Sequence, residues 1–154
     1  MENIVLIKEV IDCSIDVAFR CFTINELLEN WLTEKADINP KKGGKYELFW
    51  DLKNKEINST LGCKITGIEK NKYISFDWKG PIDFQSFMNF ADPLTHVIVF
   101  FSNNNKDPNM TIIHLFHTGW RNDTDWQKAR DYFENAWSKA LRNLKEKLEN
   151  KLLV

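Results

Sequence analysis

Residues 124–150 read TDWQKARDYFENAWSKALRNLKEKLEN, and this stretch decides the fold of the chain. Its apolar residues recur at steps of three and four, which is the spacing of one stripe along an α-helix. Charged residues such as Lys128 and Glu146 lie between them and form a solvated opposite face. Thr124, followed three residues later by Gln127, predicts a capping box at the helix start. The apolar stripe consists of Trp126, Ala129, Phe133, Ala136, Trp137, Ala140, Leu141, Leu144 and Leu148.

Such a helix needs a partner surface. It would extend about 40 Å at ~1.5 Å per residue. Most of the stability of a protein helix comes from packing its apolar face, and an isolated helix in water is marginal. The rest of the chain must therefore supply a surface on which the stripe docks.

The composition is that of a single domain. A chain of 154 residues is long enough for one core. Its 21 basic and 22 acidic residues are balanced, so neither nucleic acid nor an anionic membrane is an expected partner. The three cysteines, Cys13, Cys21 and Cys63, share no C-x-x-C spacing. We therefore expect neither disulfide bonds nor structural zinc, and a reducing cytosol as the compartment. The N-terminal residues look like neither a signal peptide nor a membrane span. We therefore expect one cytoplasmic domain over residues 1–154.

The segments before the long helix are mainly short strands. A β-branched run predicts a first strand over residues 4–11. Ser14 is a plausible N-cap of a short helix, and residues 23–26 (Thr-Ile-Asn-Glu) predict a capping box for a second one ending near Leu32. Alternating apolar residues then predict strands over residues 36–39, 45–51, 57–68, 73–79, 95–102 and 110–118, with a polar loop over 103–109.

This order predicts an α+β fold. Strands joined by short polar turns form an antiparallel sheet, and a strongly twisted sheet can curl around one long helix. The expected architecture is a curved antiparallel sheet in β-αα-β6-α order around the C-terminal helix. The two short helices after the first strand would close one end.

The chain resembles the helix-grip fold of the START-like (SRPBCC) superfamily. Within it, the local sequence is similar to the domain homologous to the C-terminal half of the heat-shock-protein-90 ATPase activator. Each motif is weak alone, and their common order and spacing carry the resemblance over nearly the whole chain. The motifs are residues 14–19, the Thr-x-x-Glu-Leu-x-x-x-Trp-Leu run over 23–32, Gly43-Gly44, Tyr46-x-Leu48-x-Trp50, residues 67–69, Phe76-x-Trp78 and the Thr-x-x-x-x-x-His-x-Gly end over 111–119.

The resemblance implies three kinds of function. Members of the superfamily bind apolar ligands between the sheet and the long helix, and some catalyse cyclisation or hydrolysis there. The eukaryotic activator acts on a chaperone, but it carries a separate N-terminal domain that this sequence does not show. The leading expectation is a carrier of a small apolar or aromatic molecule, with a chaperone partner as the first alternative and a cyclase or hydrolase as the second. A homodimer would depend on a dimer contact made by residues 80–93.

Strand alternation nominates the residues of a ligand cavity. Ala136 and Ala140 on the helix would set its size. The alternative is that the same residues form a filled core. The candidates are Tyr46, Leu48, Trp50, Cys63, Phe76, Trp78, Val99, Phe101, Leu115, His117, Phe133 and Trp137.

Residues 80–93 are longer than the usual connection of about 4–6 residues. The segment is also apolar, since it carries Phe84, Phe87, Met88 and Phe90. It is a candidate lid over the cavity or a dimer contact, or else an extension of the sheet tucked against the helix.

Catalytic chemistry has little support in the sequence. His117 would face inward, where it is either a hydrogen-bonded core histidine or a group that orients a ligand. His114 and His96 lie on outward faces, so no metal site is expected. There is no G-x-S-x-G motif, and we expect no cofactor. Only His117, Tyr46 and Tyr132 offer polar groups to a cavity, so an enzyme of the cyclase or hydrolase type ranks last.

Overall fold

A computed structural model describes residues 3–153 of the chain. The predicted α+β fold with β-αα-β6-α order is confirmed, and the structure adds one short helix before the last two strands. The elements are β1 Val5–Asp12, α1 Ile15–Cys21, α2 Asn25–Trp31, β2 Lys35–Ile38, β3 Tyr46–Phe49, β4 Ile65–Glu69, β5 Tyr73–Trp78, α3 Gln85–Met88, β6 Thr95–Asn104, β7 Asp107–Thr118 and α4 Thr124–Glu149.

The strands form one large antiparallel sheet and a small two-stranded sheet of β2 and β3, here called the annex. The large sheet has the order β1-β7-β6-β5-β4, and β2 pairs with β3. Two isolated bridges, Lys45 to Lys64 and Phe49 to Ser59, connect β3 with the segment that leads into β4. The annex therefore continues the curve of the sheet past β4 rather than standing apart from it.

The long helix fills the inside of this curve. Its stripe is buried from Trp126 at the start to Leu148 in the last turn, except at Ala136 and Ala140, which are half-buried. The strands alternate in the same sense, because Ile113, Leu115 and His117 on β7 are buried while the residues between them are half-exposed. Sheet and helix thus share one core.

The predicted capping boxes are wrong. Asp123, not Thr124, is the N-cap of α4, because its side chain accepts a hydrogen bond from the Trp126 N–H at 3.0 Å. Gln127 instead donates to the carbonyl of Arg121. A carboxylate is at least as good a cap as a threonine hydroxyl, and the preceding turn presents it.

The two short helices begin differently from each other. Ser14 caps α1 as predicted, since its hydroxyl accepts from the Val17 N–H. Helix α2 has Ile24 at the N-cap position and no side-chain cap. The Thr23 hydroxyl donates back to the Phe19 carbonyl, so it belongs to the end of α1.

The predicted strand over residues 57–68 is wrong in its first half. Asn58 has φ 48° and Gly62 has φ 87°, and neither conformation fits a strand. Residues 57–63 are therefore irregular apart from the bridge at Ser59, and Leu61 is exposed. Only the part from Ile65 forms a strand, β4, whose pairing with β5 shifts register between Ile65 and Gly67.

The predicted loop over residues 103–109 is also wrong. Strands β6 and β7 continue through it, and Asn104 pairs with Asp107 across a two-residue turn. The register shifts between Asn103 and Asn104. Pro108 follows this irregularity, where a strand tolerates a residue without an N–H.

No helix within residues 3–153 is long and apolar enough to cross a membrane.

Candidate ligand pocket between the sheet and the C-terminal helix

The main pocket of the described chain lies where α4 passes over β5 and the turns after β3. Its volume is about 350 Å³, which is near the lower end of the range of about 300–1,000 Å³ for small-molecule sites. The pocket opens to solvent, since Trp50 and Tyr132 on its wall are both exposed. It is lined by Leu32, Trp50, Asn58, Ser59, Trp78, Lys79, Gly80, Pro81, Tyr132, Phe133, Ala136, Trp137 and Ala140.

Three tryptophans form the aromatic wall. Trp78, at the end of β5, has its ring centroid 5.0 Å from that of Trp137 and 6.1 Å from that of Trp50. Trp78 and Trp137 are buried, whereas Trp50 is 38% exposed and stands at the mouth. The Trp50 indole N–H donates to the Leu32 carbonyl at 2.9 Å, which holds that ring in place. The pocket is thus lined by aromatic faces from its mouth inward.

Helix α4 contributes small side chains opposite this wall. Ala136 and Ala140 are one turn apart, half-buried, and both line the pocket. Ala129 on the same helix is fully buried instead. The space therefore exists because alanines occupy the part of the stripe that faces β5.

The polar groups of the pocket are few. The Lys79 ammonium donates to the Leu61 carbonyl at 2.6 Å. The Asn58 Oδ1 accepts from the Ile82 N–H at 2.8 Å, and the Ser59 hydroxyl donates to the Lys55 carbonyl at 2.7 Å.

One buried donor on this wall is unpaired. The indole N–H of Trp78, a residue only 3% exposed, has no hydrogen-bond partner among residues 3–153.

His117 is the centre of a hydrogen-bonded cluster behind the pocket. Its Nδ1 accepts from the Trp137 indole N–H at 3.0 Å, so the proton lies on Nε2, which donates to the Thr95 hydroxyl at 3.0 Å. Burial lowers the pKa of His117 well below its ordinary value, and the nearby His96 adds to this effect. A neutral ring with both nitrogens occupied acts as a structural histidine that orients Trp137.

The residues nominated from the sequence divide into two groups. Trp50, Trp78, Phe133 and Trp137 line the pocket. The others are buried in the core and do not line it: Tyr46, Leu48, Cys63, Phe76, Val99, Phe101, Leu115 and His117.

Tyr46 illustrates the second group. Its ring stacks on Phe76 with a centroid distance of 3.8 Å, and its hydroxyl donates to the Phe22 carbonyl at 2.9 Å. The end of the cavity under β3 is therefore filled, and the open space lies nearer the first half of α4.

The thiols are not poised for nucleophilic chemistry. Burial raises the pKa of Cys63 and of Cys21 to about 12, and that of Cys13 to about 11. Within the described part of the chain, no group of His, Cys, Asp or Glu side chains could hold a metal ion.

The segment over residues 80–93 lies beside the pocket. Gly80 and Pro81 line it, and the short helix α3 follows. Phe84 packs edge-on against Tyr132 at 5.3 Å, and Met88 is fully buried.

The rest of the segment continues along α4. Phe87 packs edge-on against Trp126 at 5.1 Å. Phe90 points away and is 82% exposed.

Several lining residues were not nominated from the sequence. Leu32, Ser59 and Pro81 lie in turns or at helix ends, where alternation gives no inside or outside. Asn58 reaches the pocket because of its positive φ, and Lys79 because β5 ends at Trp78. Tyr132, which the sequence offered as a polar group for the cavity, does line the pocket.

One family profile and several solved structures are similar to this chain. The profile of the family described as "Activator of Hsp90 ATPase homolog 1-like protein" matches residues 12–149. No curated protein matches the chain.

Solved structures of similar fold cover nearly the whole chain. Protein MLL2253 from Mesorhizobium loti is 20% identical, with a TM-score of 0.74, over 96% of this chain and 97% of that one. An HSP90 activator from Plasmodium falciparum, PFC0360w, is 22% identical, with a TM-score of 0.71, over 95% and 96%. The Aha1 dimer from Colwellia psychrerythraea is 18% identical, with a TM-score of 0.67, over 95% and 96%. At these identities the likeness concerns the fold.

Proposed function

This chain belongs to the activator of Hsp90 ATPase homolog 1-like family, and we propose that it binds a small apolar or aromatic molecule in the pocket under α4. The observation that carries the proposal is the open, tryptophan-lined space of about 350 Å³ between the sheet and the helix. An apolar ligand that displaces water from a space walled by aromatic side chains gains free energy.

The polar groups of the pocket favour ligand binding over catalysis. The side chains of Asn58, Ser59 and Lys79 are each engaged with backbone groups. Both ring nitrogens of His117 are hydrogen-bonded, one to Trp137 and the other to Thr95, behind the aromatic wall. A general acid or base must lie within reach of the substrate. Among the described lining side chains only the Lys79 ammonium and the Tyr132 hydroxyl at the mouth could serve, so binding is better supported than a cyclase or hydrolase reaction.

We further propose a cytosolic location for the carrier. Cys13, Cys21 and Cys63 are all unpaired thiols, which is the state that a reducing compartment maintains.

Native mass spectrometry tests the carrier proposal. The protein, purified from its own host, is expected to show a mass above that of the chain, and denaturation should release a small molecule. Ala136→Phe places a ring in the pocket and is expected to abolish the adduct. Lys128→Phe, on the solvated face of the same helix, is the matched control that should retain it. Absence of any adduct, together with no thermal shift from a panel of lipids and aromatic compounds, would contradict the proposal.

A second candidate function is regulation of a heat-shock-protein-90-type ATPase. Family membership favours it, and so does the apolar outer face of the sheet. There Leu6 and Phe100 are exposed, and Phe116 lies between them, edge-on to Phe100 at 5.9 Å. Such a face is the kind of surface on which another protein docks.

Steady-state ATPase assays of the host chaperone test this second candidate. Addition of the protein should change the rate, and Phe100→Lys should remove the change. Ala136→Phe is the control, because it alters the pocket and leaves the outer face intact. An unchanged rate with the wild-type protein would contradict the candidate. If sedimentation shows a dimer that Phe100→Lys dissociates, the outer face joins two copies of the chain instead.

A further inference from the structure

Two side chains that line the pocket have hydrogen-bond donors without a partner among the described residues. The Lys79 ammonium uses one of its three donors on the Leu61 carbonyl. The Asn58 side chain accepts the Ile82 N–H with its oxygen, which leaves its amide nitrogen. The unpaired Trp78 N–H is not a third such donor, because this atom is buried from solvent and therefore from the open pocket.

The side-chain oxygens of Asn58 and Ser59 each accept a hydrogen bond already: the Asn58 oxygen accepts the Ile82 N–H, and the Ser59 hydroxyl oxygen lies 3.4 Å from the Leu61 N–H while its proton goes to the Lys55 carbonyl. The Tyr132 hydroxyl, at the exposed mouth, is a further acceptor. None of the described residues that line the pocket is Asp or Glu, and Lys79 is the lining residue with a full charge. The net charge of the lining side chains is therefore positive.

An ammonium with unused donors forms a charge-assisted hydrogen bond with a ligand that supplies an acceptor. A carboxylate supplies acceptors without adding a donor, and its charge is complementary to Lys79. The aromatic faces of Trp50 and Trp137 suit a planar ring next to it.

We propose that the ligand is a planar aromatic carboxylate, with its ring against Trp50 and Trp137 and its carboxylate oxygens accepting from the Lys79 ammonium. This inference rests on the proposed function, since it names the class of molecule that the same pocket takes. It excludes plain hydrocarbons and long-chain amines as preferred ligands.

Isothermal titration calorimetry with two probes that share a ring system separates the contribution of the ligand's charge to affinity from that of apolar contact. The probes are 2-naphthoate and the neutral 2-naphthalenemethanol. Wild-type protein is expected to bind the acid about tenfold more tightly, as a charge-assisted hydrogen bond predicts. Lys79→Met should remove this preference and leave the affinity for the alcohol unchanged. Lys64→Met is the matched control, because Lys64 is an exposed lysine that does not line the pocket.

Each outcome bears on one proposal. Equal affinity of wild-type protein for acid and alcohol, or an acid preference that survives in Lys79→Met, overturns the aromatic carboxylate and leaves the carrier function standing. Failure of wild-type protein to bind either probe, with a native thermal unfolding curve, overturns the carboxylate inference; the carrier proposal falls as well if the wider ligand panel also gives no thermal shift.

Discussion

Replacing Ala136 by leucine tests whether the space under α4 is open in solution. Ala136 is half-buried and lines the pocket, so a larger side chain there should extend into solvent-filled space. Ala129, on the same helix and fully buried, provides the matched position where no such space exists. The two substitutions add the same atoms to the same helix.

The expected magnitudes differ in sign. At Ala136 the added carbons are worth up to ~0.8 kcal/mol per buried CH₂. Ordering the leucine side chain costs about 0.5–1 kcal/mol, and partial exposure at the pocket mouth reduces the gain. We therefore expect Ala136→Leu to leave the free energy of unfolding unchanged or to raise it by about 1 kcal/mol. Ala129→Leu overpacks the core and should lower it by about 1–3 kcal/mol.

Urea denaturation followed by tryptophan fluorescence measures both values. The m-value should match that of the wild-type protein, so that midpoints report stability. In parallel, Ala136→Leu should weaken binding of 2-naphthoate, because it occupies the ligand space. Equal destabilisation by Ala136→Leu and Ala129→Leu would refute the reasoning, since it would show that the alanines only let the sheet approach the helix.

Three further predictions follow from individual contacts. Asp123→Ala removes the N-cap of α4 and should lower the free energy of unfolding by about 1 kcal/mol, whereas Thr124→Ala, at the position first predicted as the cap, should change it by less than about 0.5 kcal/mol; the reverse order would contradict the Asp123 cap. Burial holds the pKa of His117 well below 6.5, so the unfolded chain binds this proton at a higher pH than the folded chain does. The stability that the neutral ring contributes is complete above about pH 6.5 and is lost as the pH falls below it, by up to about 1.4 kcal/mol per pH unit. His117→Gln should flatten this dependence in urea titrations at several pH values, while the control His114→Gln should keep it; an unchanged slope in His117→Gln would show that other groups cause it. Trp137→Phe leaves the His117 Nδ1 without its donor and shrinks the core, so a loss of about 2–4 kcal/mol is expected, and a loss below about 1 kcal/mol would contradict the role of that hydrogen bond.

The fold could be predicted because its signals are local and repeated. The stripe of α4 depends on side-chain spacing alone, and its residues from Trp126 to Leu148 are buried except at Ala136 and Ala140, which are half-buried. The alternation predicted for β6 and β7 is also observed, and in β5 it holds except at Ser75, which is buried. Where one residue controlled the outcome, the prediction failed: the positive φ of Asn58 ends the expected strand, and Asp123 outcompetes Thr124 as the cap.

The pocket could be located only roughly from the sequence. Alternation selects all inward-facing residues equally, so Tyr46 and Trp78 looked equivalent. In the structure Tyr46 stacks on Phe76 and fills its end of the cavity, whereas Trp78 faces the small side chains of α4. Turn residues such as Pro81 carry no periodic signal, and they form part of the wall.

The sequence by itself determined which faces of the helix and strands are apolar, because that property depends on spacing along the chain. It thereby determined that a sheet closes around residues 124–150. The tertiary structure decided where this closure leaves space, because an open volume depends on distances between side chains from different elements. It also left the Trp78 N–H unpaired while giving His117 both of its partners, since hydrogen bonds depend on the angles at which those elements meet.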